Sequence, residues 1–433
     1  MMILKNRNTG HDFLGRSTGG GALSIWTHSL KDFEFLPEFS LGNYSGMAAR
    51  VGAGIQTNDL NTHTLVNNIT IITPGGSDVG AYGGFLLGGG HSALTSYYGM
   101  AADHILSLNV VLPSGRFVTA SAEENQDVYW AMLGGGGGTF GVLTSAVVEA
   151  FPIVSLTNSS VAFSPPAAES ENFWAGVAKY FQFSQKVCEA GGIGFSFILS
   201  QNGTLSFSVG IEIPFISSKD MQSLTAPLFE DLNGLGFNLS TPLGTVHLGP
   251  WLAPPGDLTS NNRISSRLIP LRNFEDEALF NETVAAIQSF VEEGGYVFQG
   301  INYTPTLAVS GYPNNSVNPA FRDTIMHANA FSTSLAEGPV SAQQASYERF
   351  NSFVQPWRDL TPGSGAYLNE ADRMEPDWQA SFYGENYERL VGVKKAVDPW
   401  DVFWVERGVG SEGWELRGGE WNGVTEDGRL CRV

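Results

Sequence analysis

Along the first 152 residues, apolar side chains come in short runs separated by glycine, and helical stripes are few. Met2-Ile3-Leu4 is long enough only for the end of a strand. Ala22–Thr27 alternates as a strand does, Met47–Ala53 reads as a small-residue strand packed closely on a neighbour, and Ile69–Thr73 is β-branched. Leu106–Leu112 and Phe117–Ala120 predict a hairpin across Pro113-Ser114-Gly115-Arg116. A helix over Glu123–Leu133, with Val128, Ala131 and Met132 on one face, precedes a strand over Val142–Phe151. After Pro152 the texture changes. Strands are expected at Gly194–Leu199, Thr204–Ile213, Tyr296–Tyr303 and Met326–Phe331, and helices near Ser170–Val187, Asp220–Leu232, Glu275–Glu293 and Ala342–Val354. That pattern predicts an antiparallel sheet with helices on one face. Beyond the turn at Pro362–Gly365, Tyr387, Leu390 and Val391 form a helical stripe that ends before Pro399. The expected organisation is α+β, with one domain over 1–152, a second over 153–361 and a closing segment over 362–433.

The chain has 433 residues, too many for one core, and a formal net charge of −20, which speaks against nucleic-acid and anionic-membrane partners. No run of 18 apolar residues suits a membrane span. The 52 glycines cluster in the first third with apolar residues between them, as in backbone-lined binding loops. Cys188 and Cys431 could pair or remain free. Asn-x-Ser/Thr sequons begin at Asn43, Asn68, Asn158, Asn202, Asn238, Asn281, Asn302 and Asn314, about twice the chance number, and lean toward a secreted glycoprotein. Met1–Leu4 has no signal-peptide core, so secretion is expected of a full-length form with a longer amino terminus.

Candidate chemistry begins at Asn8–Ser17, where Gly10 and Gly15 let backbone N–H groups converge on an anion and His11 stands beside Asp12. Glycines recur at Pro74–Gly80, Gly83-Gly84 and Gly88-Gly89-Gly90-His91-Ser92, spaced for close ligand approach. Gly136, Gly138 and Gly141 satisfy the dinucleotide pattern literally, but a helix precedes them and a strand follows, the reverse of the Rossmann order. Gly15-Arg16-Ser17-Thr18-Gly19 has the spacing of a hydrolase nucleophile elbow, yet no helix follows it. None of the seven histidines pairs with another at ligand spacing, and cysteines do not cluster, so no metal site is expected.

The Asn-Thr-Gly-His-Asp loop, the 74–92 glycine segment, Tyr98-Gly99, Ala102-Asp103, the 134–142 turn and the 366–403 stretch together resemble the berberine-bridge-enzyme-like flavoproteins of the vanillyl-alcohol-oxidase superfamily, with a PCMH-type FAD-binding domain. The wording is nearest to fungal members of the isoamyl-alcohol-oxidase type, apparently without their amino-terminal segment. The resemblance implies FAD held by Asn8, Thr9, Gly10, His11, Asp12, Phe13 and Ser17, and by Gly76, Ser77, Val79, Gly80, Gly84, Gly89, His91 and Ser92. It adds Tyr98, Asp103, Gly138, Gly141, Val142 and Asn369. It implies a covalent bond from His11 to the flavin 8α position, and no second bond, because Gly76 stands where many members carry cysteine. The implied reaction passes hydride from an alcohol-type C–H to flavin N5, with Tyr367 as candidate base and O2 as the acceptor that yields H2O2. The substrate would be a small-molecule alcohol, sugar or secondary metabolite. An oxidative cyclase, or a shortened remnant that binds flavin weakly, are the alternatives.

Overall fold

In the computed structural model the described residues are 3–165, 167–249, 263–332, 339–418 and 428–433. Two antiparallel sheets carry the architecture. The first contains β1 (Phe33–Leu41), β2 (Tyr44–Gly52), β3 (Ile105–Val111), β4 (Phe117–Ser121) and β5 (Val142–Glu149), in the order β1-β2-β5-β3-β4. The expected hairpin is β3–β4. Close packing is explicit at β2, where a Cβ on Gly52 would lie 2.3 Å from the Leu30 carbonyl oxygen. Leu4–Arg7 and Leu23–Trp26 form a separate parallel pair at the start of the described chain, and Met2 lies outside the described residues.

The second sheet contains β6 (Ser155–Phe163), β7 (Ile193–Gln201), β8 (Thr204–Pro214), β9 (Thr245–Leu248), β10 (Arg263–Pro270), β11 (Val297–Asn302) and β12 (Thr324–Ser332). Their order is β9-β6-β8-β7-β11-β12-β10, every neighbour antiparallel. Alternation along β8 sorts its faces. Leu205, Phe207, Val209, Ile211 and Ile213 join one apolar core with helix residues Phe173, Phe181, Leu228, Phe290 and Phe350, each worth about 1.5–3 kcal/mol of burial. Ser206, Ser208, Gly210 and Glu212 look the other way. Helices Ser170–Glu189, Ser218–Gly234, Glu277–Glu292 and Val340–Asp359 supply the cover.

Pattern reading missed β6 and β10. Ser155–Phe163 is rich in hydroxyls, and Arg263–Pro270 is buried at every residue while carrying two arginines and two serines, so neither shows period-two apolar alternation. The strand expected over Ile69–Thr73 shortens to Ile69–Thr70 ahead of Pro74. The segment bearing Tyr367, Asn369 and Glu370, for which the family resemblance implies a strand at the flavin ring, is not a strand. Glu370 N–H bonds the Tyr367 carbonyl at 2.9 Å and closes a single 3-10 turn over Leu368–Glu370. Tyr367 N–H donates to Ser266 Oγ at 3.2 Å, not to a ladder. Ala366, Tyr367 and Leu368 bury themselves in the core of the first sheet, which carries the closing segment back to residues 85–91. No helix among the described residues is long and apolar enough to cross a membrane.

Candidate active site

A cavity of about 1220 Å³ lies between the glycine loops and the polar face of the second sheet. That exceeds the roughly 300–1,000 Å³ of a drug-sized ligand pocket, and leaves room for a large cofactor with a substrate beside it. Asn8, Thr9, Gly10, His11, Asp12, Phe13 and Ser17 line it, with Gly76, Val79, Gly80, Gly84, His91, Ser92, Gly138, Val142, Tyr367 and Asn369. Gly10 has φ +87°, a conformation that favours glycine. Behind the loop, Asn8 Nδ2 donates to the Ala53 carbonyl at 2.8 Å, and a Cβ at Gly80 would lie 2.3 Å from that same nitrogen. The loop therefore sits directly on the glycine segment.

The other named residues lie behind the wall. Tyr98 stacks on Phe151 with centroids 4.0 Å apart. Asp103 is locked by Arg322 at 2.8 Å and 2.9 Å, by Asn315 Nδ2 at 2.7 Å and by Met100 N–H at 2.8 Å. Gly141 offers its carbonyl to Asn6 Nδ2 at 2.9 Å, and neither Ser77 nor Gly89 reaches the cavity surface. None of these five is among the residues on the cavity surface. Asp12 turns from the cavity's centre to Arg16, Oδ1 to Nη2 3.0 Å, and although burial opposes its ionisation, Arg16 outweighs that and holds the carboxyl below its usual range. Ser17 has no histidine at hydrogen-bonding distance among the described residues, so the elbow reading finds no base.

The residues present fit a flavin dinucleotide. Cβ atoms at Gly75 and Gly84, both on the cavity surface, would meet no described protein atom within 4 Å, so the backbone there is open to a ligand. Asn6 Oδ1 is buried on the same wall without a hydrogen-bond partner. His11 Nδ1 stands 3.8 Å from Asp78 Oδ1, and its ring meets Phe13 edge-on.

One cluster carries chemistry that local spacing did not announce. His91 Nε2 lies 3.1 Å from Glu370 Oε1, Asn329 Nδ2 donates to Glu370 Oε2 at 3.1 Å, and His327 Nδ1 is 3.9 Å from Oε2. The two histidines and the glutamate bring ligand-type atoms within 4.8 Å of one another. Neither nitrogen of His327, nor His91 Nδ1, nor the Tyr303 hydroxyl has a hydrogen-bond partner among the described residues. Burial works against ionising Glu370, but the charge and hydrogen bond of His91, with His327 and Asn329, outweigh it and bring its pKa to about 2. Burial dominates at His327 and lowers it to about 3, so that ring is neutral.

Tyr367 is fully enclosed. Its hydroxyl accepts from Asn369 Nδ2 at 2.8 Å, and burial, reinforced by Glu370, pushes the phenol far above its ordinary value despite that bond. The shift runs opposite to what a base requires. Asn369 also donates to the Phe85 carbonyl at 3.2 Å, and a Cβ on Gly88 would fall 2.3 Å from its Oδ1.

Residues 4–121 match the family model described as FAD binding domain, and residues 366–410 that described as berberine and berberine like. FAD-linked oxidoreductase patO of Aspergillus clavatus is 37% identical over 99% of this chain and 73% of its own length. VAO-type flavoprotein oxidase VAO615 of Thermothelomyces thermophilus is 34% identical over 99% of this chain and 74% of its own. The crystal structure of the VAO-type flavoprotein MtVAO615 from Myceliophthora thermophila superposes with a TM-score of 0.88 at 30% identity, covering all of this chain and 78% of that one. Cradle, fold and relatives agree: the chain belongs to the berberine-bridge-enzyme-like family of FAD-dependent oxidoreductases.

Proposed function

We propose that the protein oxidises an alcohol-type carbon of a small molecule, a sugar or a secondary metabolite, with O2 as terminal acceptor and H2O2 as product. The name oxidase borne by one relative supports the choice of O2. When bound, the flavin supplies a two-electron acceptor for hydride. The observation that carries the reading is the His91–Glu370 pair on the cavity wall. Glu370 Oε1 faces His91 Nε2 at 3.1 Å, and a neutral ring that donates there keeps its lone pair on Nδ1, which is enclosed in this structure and reaches a substrate only by a local shift toward the cavity. His91 then takes the hydroxyl proton, and Glu370 stabilises the resulting imidazolium, as the carboxylate does in a hydrolase triad. Asn329 keeps the carboxylate in place. Tyr367 serves as a wall for His91, edge to face at 5.4 Å.

His11 is the residue we propose for covalent attachment, and the sole one, since Gly76 on the cavity surface has no side chain to offer. Secretion of a full-length form is supported by exposure of six sequon asparagines, at 43, 68, 202, 238, 281 and 314. Asn302 is fully buried and Asn158 lines the cavity.

The test is anaerobic mixing of flavin-loaded protein with a panel of alcohols, sugars and aromatic carbinols while the flavin band is followed. Wild type should bleach with at least one member. His91→Asn should slow bleaching by about 10²–10⁴-fold at unchanged flavin content. Bleaching at equal rates in the two proteins would remove His91 from the proton's path.

A further inference from the structure

The cavity-facing side of the second sheet changes character from one edge to the other. Strand registers place Ser160 opposite Gly210, Gly210 opposite Phe195, Phe195 opposite Ile301, and Ile301 opposite His327. The next row reads Ala162, Ser208, Phe197, Gln299 and Asn329. A third joins Thr245, Asn158 and Glu212 at the far edge. Beside the His91–Glu370 pair the ceiling is mainly apolar, made of Phe195, Phe197, Ile301 and Phe331 with Gln299 among them, all on the cavity surface. From β8 onward it becomes more polar: Ser208 and Glu212 on β8, Asn158 and Ser160 on β6, and Thr245 and His247 on β9 line the same cavity. From β11 to β6 is three strand spacings, about 14 Å.

A polar patch of this kind is out of place on a ceiling built only for an apolar molecule. Glu212 is 8% exposed, and its Oε1, 3.4 Å from His247 Nε2, makes no hydrogen bond. His247 Nδ1 donates to the Gly249 carbonyl at 2.7 Å, so Nε2 can face the carboxylate favourably only when it also carries a proton. The neighbouring Glu212 carboxylate, against a smaller cost of burial, raises the His247 pKa. The two side chains thus face each other with no geometric hydrogen bond between them among the described residues. No hydrogen bond ties the side chains of Asn158, Ser160, Ser208 or Thr245 to the described residues, which leaves short donors and acceptors facing the cavity.

We propose that the substrate is an amphiphile: an apolar body beneath Phe195, Phe197 and Ile301 with the reacting carbinol at the His91 end, and an uncharged, hydroxyl- or amide-bearing tail at Asn158, Ser160, Ser208 and Glu212. This assignment rests on the alcohol-oxidation reading for the direction of the molecule in the cavity. The apolar strip excludes water from the reacting carbon, and the distant hydrogen bonds set which end enters first. Glu212 and His247 stand side by side on the cavity surface, so a charged tail finds no isolated counter-charge there and has no advantage over a sugar.

Binding to flavin-loaded protein is read as the perturbation of the flavin absorption band, which requires no turnover. The probes are 1-decanol, 10-hydroxydecyl glucoside (decanol's chain with a glucosyl group at the far end), and 10-aminodecan-1-ol as the cationic control. The glucoside should bind at least about tenfold more tightly than decanol, the equivalent of two ordinary hydrogen bonds. The advantage should shrink to less than about threefold in Ser160→Ala and in Ser208→Ala, each removing a hydroxyl from the cavity surface without adding bulk. Equal affinities for glucoside and decanol, or tighter binding of the amine, would overturn the proposal. Loss of flavin from both variants would do so as well, because the patch would then belong to the cofactor. If the glucoside binds as expected and no alcohol bleaches the flavin, the amphiphile site stands and the alcohol-oxidation reading falls.

Discussion

Asp103 offers the sharpest separation between a cofactor ligand and a structural ion pair. Its side chain is fully buried, that of Arg322 is 10% exposed, and four hydrogen bonds converge on its two oxygens. Arg322 and Asn315 belong to the connection between β11 and β12, whereas Asp103 precedes β3. The carboxylate therefore pins the second sheet to the first. Replacing it by its neutral isostere, Asp103→Asn, leaves the guanidinium buried without its counter-charge, a change that costs about 3–5 kcal/mol when one partner of a buried pair is lost. The assay is chemical denaturation at pH 7 followed by intrinsic fluorescence, with flavin content measured on the same samples. Burial opposes ionisation here but Arg322 outweighs it, so the folded-state pKa is lowered. The stabilisation is then complete above the unfolded value of about 3.9 and disappears as pH falls through the folded value, so wild type and variant should converge in acid. Combining Asp103→Asn with Arg322→Gln should cost much less than the two single changes added together. Full stability with a lowered flavin content would refute the structural role and return Asp103 to the cofactor.

Three further outcomes follow from the site and its supports. His11→Ala should leave whatever flavin remains releasable by acid, and no cysteine-linked flavin peptide should be found in wild type; such an adduct would end the single-attachment proposal. Ser17→Ala should cost on the order of 1 kcal/mol in cofactor binding and leave no esterase activity to lose, whereas a hydrolase would fall by several orders of magnitude. At His104, burial lowers the pKa but Glu149, 2.8 Å away, outweighs it, so the folded value is raised. That stability is full below the unfolded pKa of about 6.5 and is lost as pH rises through the folded value. Thermal melts of wild type and His104→Asn should accordingly differ most at about pH 5–6 and approach each other in mild alkali.

The strands and helices whose apolar residues alternate, or recur at helical spacing, were legible in the sequence; β8 and the helix over Glu277–Glu292 are examples. β10 was not, because a strand buried on both faces with Arg263, Ser265, Ser266 and Arg267 in it presents no periodic contrast. The loop at Asn8–Phe13 was legible through its wording, and it lines the cavity. The same wording carried Tyr98 and Asp103 into a cofactor role, while their side chains serve an aromatic stack and an ion pair. His91, His327 and Glu370 share no local spacing: one sits after a glycine turn, one on β12, one in a 3-10 turn. Only tertiary packing makes them neighbours, so a search for ligand-like intervals passes over them.

The return of the closing segment has a consequence for biosynthesis. His91 meets Glu370 across 279 residues of sequence, and Arg373 reaches the Leu14 carbonyl across 359. A chain emerging from the ribosome at about 5–20 residues per second holds His91 for tens of seconds before its partner is made. During that interval the first sheet lacks the core side chains of Ala366, Tyr367 and Leu368, and its cavity stands open to water. Chain termination anywhere before residue 370 yields a product without the His91–Glu370 pair, however well its glycine loops have folded. The His91–Glu370 contact thus exists only in molecules whose synthesis has passed residue 370.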